Sequence, residues 1–371
     1  MKAIKITGII LSALMLCTAV ACSQQNGTGS SDTTTAEPTT AEPTTAAATA
    51  AAAAQSEVQT AVEKTIEENE LEGVVYAVKD GSPIASFAAG TLENGEEITL
   101  DTPLPIGSVS KQFCAAAVLL LQEQGKLSID DTVDKYYPEY SEGKKITVKN
   151  LLSMRSGVPE MTAEGNENLV SNDNSEAENT AAIKAWIFKQ PLDFEPGSSF
   201  EYTNTNYFLL GNIVEQVAEK PYAEFLRDSF FTPLGMAHTG TIGELAGSPE
   251  WANGVTFKQV DTQPGLTKGC GDIISNAADM TLWLNALSGG KAVSSESYSA
   301  MTTDYSPEEY YGFGMFLELS GGVGHYGAIG IYSAFDYINT DKNLTLFVAC
   351  NNINPIEMNG VAADLTEDVL G

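Results

Sequence analysis

Pro105-Ile106-Gly107-Ser108-Val109-Ser110-Lys111-Gln112-Phe113 runs directly into an apolar stretch, 114–121. Residues three apart on a helix share a face and sit one turn from each other. Ser108 and Lys111 therefore bring an amine beside a hydroxyl, which is what a serine nucleophile without a histidine base requires. A helix N-terminus adds free N–H groups and the positive end of a dipole, both suited to a developing oxyanion. The bland alternative is a capping serine with its lysine in solvent. The same spacing recurs at Ser141/Lys144 and Ser288/Lys291. The first lies in a polar stretch, and the second spans Gly289-Gly290, which breaks a helix. Only Ser108 stands between an extended lead-in, 104–107, and an apolar helix.

Two further motifs lie downstream. Tyr202-Thr203-Asn204 precedes a helical pattern. A tyrosine hydroxyl near a lysine can relay a proton, and an asparagine amide can hold both the lysine and a substrate carbonyl. A helix-capping loop is the alternative. Tyr337-Ile338-Asn339 repeats the spacing, but at the end of a strand, where tyrosine and isoleucine are ordinary β-formers. Gly324-His325-Tyr326-Gly327-Ala328 opens a strand pair near the carboxyl end. A strand edge with small residues lets a substrate lie alongside it. His238-Thr239-Gly240 competes for this role but follows a loop closing a helix, so His238 reads as structural. Gly322, Gly324 and Gly327 match a dinucleotide fingerprint, yet a strand follows where a helix is needed.

In this order, Ser-x-x-Lys, Tyr-x-Asn and His-x-Gly resemble the three motifs of the serine β-lactamase and penicillin-binding-protein superfamily. The resemblance is strongest to class C β-lactamases and their D,D-carboxypeptidase and esterase relatives. It takes in 151–157, Glu195-Pro196-Gly197, 233–236 and Tyr311-Gly312-Phe313-Gly314, and so spans about residues 60–371. It implies that Ser108 attacks a carbonyl to form an acyl-enzyme. Lys111 and Tyr202 would share the proton transfers, and Asn204 would orient Lys111 and the substrate. Which of Lys111 and Tyr202 takes the first proton stays open. A lysine acting as base near neutral pH needs its pKa lowered by burial or a nearby positive charge. Backbone N–H groups of Ser108 and Ala328 would form the oxyanion hole, each donor worth about 3 kcal/mol. No cofactor and no metal is implied.

The third motif departs from the family pattern. Many members carry lysine followed by threonine or serine; here His325 and Tyr326 stand there. A phenol replaces the small hydroxyl that helps hold a substrate carboxylate, and histidine attracts anions more weakly than lysine. Tyr326 and Gly327 are read as substrate-binding positions. The leading expectation is a hydrolase of cell-wall D-amino-acid peptides, with peptidoglycan a candidate partner. An esterase of the same fold is the second reading, and a non-catalytic wall- or ligand-binding protein the third.

The net charge of −30, from 49 acidic against 19 basic side chains, argues against a nucleic-acid partner, which needs clustered Lys and Arg. Lys2 and Lys5 precede an apolar stretch, 6–21, that ends in Ala19-Val20-Ala21-Cys22. This reads as a lipoprotein-type signal peptide, 1–22, with Cys22 as the lipidation site; ordinary signal cleavage is the alternative. The expected location is the outer face of a bacterial cell membrane, held by a lipid anchor, or free secretion. Residues 23–55, built of Thr/Pro/Ala-rich repeats, read as a disordered tether. Cys114, Cys270 and Cys350 are too few and too scattered for a disulfide framework, and two histidines argue against a zinc site.

From residue 56 the pattern becomes globular, and a monomer is expected. Val58, Val62 and Ile66 recur at helical spacing. Segments 73–78 and 84–88 read as a hairpin, 313–319, 331–338 and 344–350 as strands, and 357–369 as a closing helix. Helices are clearest at 113–124, 207–218 and 277–287. The expected fold is α+β. An antiparallel β-sheet made from both chain ends, 56–107 and 300–371, is flanked by helices, and a mainly helical lobe, 108–299, is inserted. Residues 158–182, acidic and rich in Asn and Glu, read as a solvated loop rather than a lid.

Overall fold

The computed structural model describes residues 45–245 and 263–371. The signal peptide, Cys22 and the tether up to residue 44 lie outside the described residues. Helix α1 (Thr45–Glu68) begins within the alanine run assigned to the tether. Alanine loses no side-chain entropy in a helix and has the highest helix propensity, so the run extends the helix upstream of residue 56.

The chain continues through β1 (Gly73–Lys79), β2 (Ser82–Ala89), β3 (Leu104–Pro105) and α2 (Ser110–Glu123). Next come α3 (Val148–Leu152), α4 (Glu176–Ile187), α5 (Asn204–Ala218), α6 (Tyr222–Leu226) and α7 (Thr232–Leu234). Then follow β4 (Gly240–Thr241), α8 (Ile242–Leu245), β5 (Ile273–Ser275), α9 (Ala277–Ser288) and α10 (Ser295–Met301). The chain closes with β6 (Phe316–Leu319), β7 (Gly322–Ile329), β8 (Tyr332–Asn339), β9 (Leu344–Cys350) and α11 (Pro355–Leu370).

Six strands form one antiparallel sheet in the order β2-β1-β9-β8-β7-β6. Strand β1 pairs with β9, Val75 opposite Val348, so both ends of the chain close the sheet together. Strands β8 and β9 are buried along their whole length, with α11 against β8 and α9 against β9. Strands covered in this way read as continuous apolar runs. At the other border, Gln59 of α1 accepts from Ser86 N at 2.9 Å and donates to Ser86 O at 3.0 Å. This amide side chain occupies the edge that β2 would otherwise present for further pairing.

Helix α2 is buried from Ser110 to Leu119, which suits a helix at the centre of the inserted lobe. Phe113 stacks on Trp283 at 3.8 Å between ring centroids. A second small sheet, β3-β5-β4, supports the start of α2. Ile106 N donates to Ile273 O at 2.8 Å, and Ile273 N donates to Ser110 Oγ at 3.0 Å. The strand expected over 313–319 begins only at Phe316. Gly314 holds φ at +71°, and a Cβ there would meet the Lys111 carbonyl oxygen at 2.7 Å, so this stretch is a loop pressed onto α2. The acidic stretch expected as a solvated loop turns helical at Glu176, where Ser175 and Glu178 form a capping box.

Candidate active site

Ser108 lies in a 3-10 turn, Gly107–Val109, immediately ahead of α2 rather than inside it. Gly107 reaches φ +47°, a conformation glycine adopts freely, and so lets the strand bend sharply into the helix. Both Ser108 and Lys111 are buried. The Lys111 ammonium donates to three oxygens: Ser108 Oγ, Asn204 Oδ1 at 2.9 Å and the Cys270 carbonyl at 2.8 Å. It also lies 4.8 Å from the centroid of the Tyr202 ring. Burial pushes the Lys111 pKa down to about 8, against the opposing pull of Cys270, Glu160 and Cys114.

Asn204 opens α5, and its backbone N–H is capped by Glu160 Oε2 at 2.6 Å. Tyr202 sits just before that helix, where its buried hydroxyl has no hydrogen-bond partner of full geometry. Burial first, then the neighbouring Tyr311, hold the Tyr202 pKa well above the ordinary tyrosine range, while Ser108 pulls it back slightly. Tyr202 is thus a neutral phenol beside the lysine and the serine.

His325 enters from β7, with its ring centroid 6.0 Å from that of Tyr202. Its Nδ1 contacts the Tyr326 carbonyl, which only accepts, so that nitrogen carries the proton. Nε2 is then the acceptor for the Tyr311 hydroxyl, 3.3 Å away. Burial, and next the charge of Lys111, push the His325 pKa down to about 3. The imidazole is neutral at working pH and enclosed by protein. Tyr326 leaves the other face of the strand and packs its ring on Phe335 at 4.7 Å between centroids. Gly327 and Ala328 follow on β7, beyond the short stretch that β6 pairs with, Gly322 to Gly324. This part of the edge has no strand partner among the described residues.

Ser108, Lys111, Tyr202, Asn204 and His325, scattered along the chain, thus meet at one place. The repeated spacings elsewhere do not join them. Ser141 to Lys144 is a peripheral 3-10 turn, and His238 N bonds Asp279 at 2.6 Å away from the cluster. Tyr337 bonds the Ser320 carbonyl at 3.2 Å. Two members escaped the sequence reading. Tyr311 belongs to the Tyr-Gly-Phe-Gly segment, which as sequence carries part of the family resemblance but no role in the site. The Cys270 contribution is a backbone carbonyl, whose one outward sign is the flanking pair Gly269 and Gly271.

Comparison with known proteins identifies the family of the chain. The family profile described as Beta-lactamase matches residues 58–370. PbpX of Bacillus subtilis (strain 168) is 30% identical over 291 residues, covering 76% of this chain and 70% of that protein. Protein flp of Staphylococcus aureus (strain COL) is 26% identical, covering 80% of this chain and 63% of its own length. Among solved structures, the D-amino acid amidase of Ochrobactrum anthropi SV3 shares the fold with a TM-score of 0.70 at 22% identity, over 84% of this chain and 98% of that one. The octameric penicillin-binding protein homologue from Pyrococcus abyssi gives a TM-score of 0.69 at 25% identity, over 85% and 77%. The chain belongs to the β-lactamase family, within the β-lactamase/transpeptidase-like superfamily of hydrolases and penicillin-binding proteins.

Proposed function

We propose that this protein is a serine hydrolase that forms an acyl-enzyme at Ser108 on D-amino-acid peptides or amides of the cell wall, and that it works outside the membrane on a lipid anchor at Cys22. The observation that carries the catalytic reading is the buried Lys111 ammonium aimed at Ser108 Oγ, Asn204 Oδ1 and the Cys270 carbonyl. Loss of one proton turns the Ser108 contact around, and the Nζ lone pair then accepts the serine proton. Lys111, with its pKa near 8, suits the first base better than Tyr202, whose phenol is held neutral. Ser108 Oγ adds to the substrate carbonyl, and the negative oxygen lies between the N–H groups of Ser108 and Ala328. Collapse breaks the bond to the leaving amine, which takes its proton from Lys111 by way of Tyr202. Water then hydrolyses the ester.

Likeness to a D-amino acid amidase supports an acyl group next to a D-centre, and likeness to penicillin-binding proteins supports penicillin as a probe. An ester substrate is the second reading. It is favoured by His325, a neutral enclosed imidazole that gives a substrate carboxylate no charge to meet. Acid-quenched intact mass spectrometry with penicillin G tests both. A penicilloyl adduct lost in Ser108→Ala is expected from the peptidase reading. Intact drug and unmodified protein, together with hydrolysis of a short-chain p-nitrophenyl ester, would move the assignment to an esterase. Inertness towards both substrates would leave a binding protein.

A further inference from the structure

Strand β8 carries a buried carboxyl that the reaction above does not use. Asp336 is fully enclosed and lies opposite His325 in the β7–β8 register. Its Oδ1 accepts the His325 backbone N–H at 2.6 Å. Gln112 Nε2 donates to the two Asp336 oxygens at 3.0 and 2.9 Å. Gln112 is the residue after Lys111, and its Oε1 accepts the Trp283 indole N–H from α9 at 3.2 Å. An indole can only donate, so Trp283 fixes the sense of the Gln112 amide, oxygen towards the indole and NH2 towards Asp336.

The pair carries the side-chain hydrogen bonds between α2 and the six-stranded sheet among the described residues. One partner follows the lysine of the first motif, and the other holds the backbone of the third. Burying a carboxyl here is costly, and the bonds it makes to the His325 N–H and to Gln112, which in turn holds the Trp283 indole, offset that cost. What such a pair adds is direction. It ties the first turn of α2 to the backbone of β7 at His325, three residues before Ala328.

We propose that Asp336 and Gln112 are positioning residues that hold the nucleophile in register with the oxyanion-binding edge of β7. The proposal rests on the acyl-transfer reading. A displacement of about 1 Å at such a site can slow a reaction roughly 100-fold.

The test uses the full chain and a fluorophosphonate probe, which phosphonylates an activated serine. Asp336→Asn places an NH2 where Gln112 already offers one, and leaves a donor unmatched. In Q112E/D336N the donor and acceptor ends exchange places across the Oδ2 contact, while the amide oxygen at 336 still accepts the His325 N–H and the carboxylate at 112 still accepts the Trp283 indole. Labelling of Ser108 is expected to slow at least about tenfold in D336N and to return to within about threefold of the parent in Q112E/D336N. Hydrogen exchange of the 325–329 amides should quicken in D336N and recover in the double variant. Parental labelling in D336N, or slow labelling that persists in a well-folded double variant, would overturn the proposal. Should D336N not fold, the double variant decides alone by the same threefold criterion. Should the parent resist the probe, the acyl-transfer reading fails. Exchange at 325–329 then judges the pair: restoration supports it and an unchanged pattern refutes it.

Discussion

Lys111 directs its three ammonium protons at three oxygens, so its charged form is fully satisfied in the resting site. Only the neutral amine can take a proton from Ser108. Burial lowers the Lys111 pKa to about 8, so about a tenth of the protein holds the free amine at pH 7, and that fraction grows as pH rises. Probe labelling should therefore rise about tenfold per pH unit below 8 and level off above it. Initial rates measured from pH 6 to 9.5 check this, and a flat profile would remove Lys111 from the role of base. Tyr202 offers a cleaner substitution. Its hydroxyl has no full hydrogen bond to lose, so Tyr202→Phe should unfold at the parental temperature. If the phenol passes the proton to the leaving group, turnover should fall about 100-fold or more. Parental turnover in Y202F would leave Lys111 and water to do that work.

Between elements, the loop before β6 decides how α2 sits. A Cβ on Gly314 would meet the Lys111 carbonyl at 2.7 Å, and the φ of +71° is itself unfavourable for other residues. Gly314→Ala should cost about 1–3 kcal/mol in urea unfolding and slow labelling as well, because the strain falls on the residue that carries the amine. Gly360→Ala on α11 is the contrast, since nothing lies within 4 Å of an added Cβ. It should be neutral or stabilise by up to about 1 kcal/mol, with labelling unchanged. Elements of this kind were legible in sequence to different degrees. Helices α2, α5 and α9 declared themselves by apolar periodicity and lie close to where it put them. The strand expected over 313–319 ran long because glycine at 314 marks a contact with another element, which no local pattern reveals. The Cys270 carbonyl and the Gln112–Asp336 bond were illegible for a related reason. Backbone atoms carry no residue signature, and partners separated by 224 positions meet only through the sheet.

At the scale of the whole molecule, the three motifs converge because both chain ends build one sheet and the helical lobe closes over it. That logic was readable from motif order and from strands at the two termini. Net charge acts at the same scale. With 49 acidic and 19 basic side chains, the full chain carries −30, and self-repulsion should destabilise the compact state. The cations are often already engaged: Lys64 pairs with Glu68, Lys135 with Asp131, and Lys268 with Glu176 and Glu215. Lys268 is buried, but the other pairs are exposed and contribute little, so the excess of carboxylates should dominate the response to salt. Raising NaCl from about 10 to 150 mM shortens the Debye length from about 30 to 8 Å. The melting temperature should rise by a few degrees over that range. Association should follow the same field. Acylation by anionic penicillin G should quicken with salt, whereas labelling by an uncharged fluorophosphonate should not. A melting temperature that fell with salt would show that the ion pairs, rather than the surplus charge, govern the fold. Equal salt responses of the two probes would place the repulsive field away from the mouth of the site.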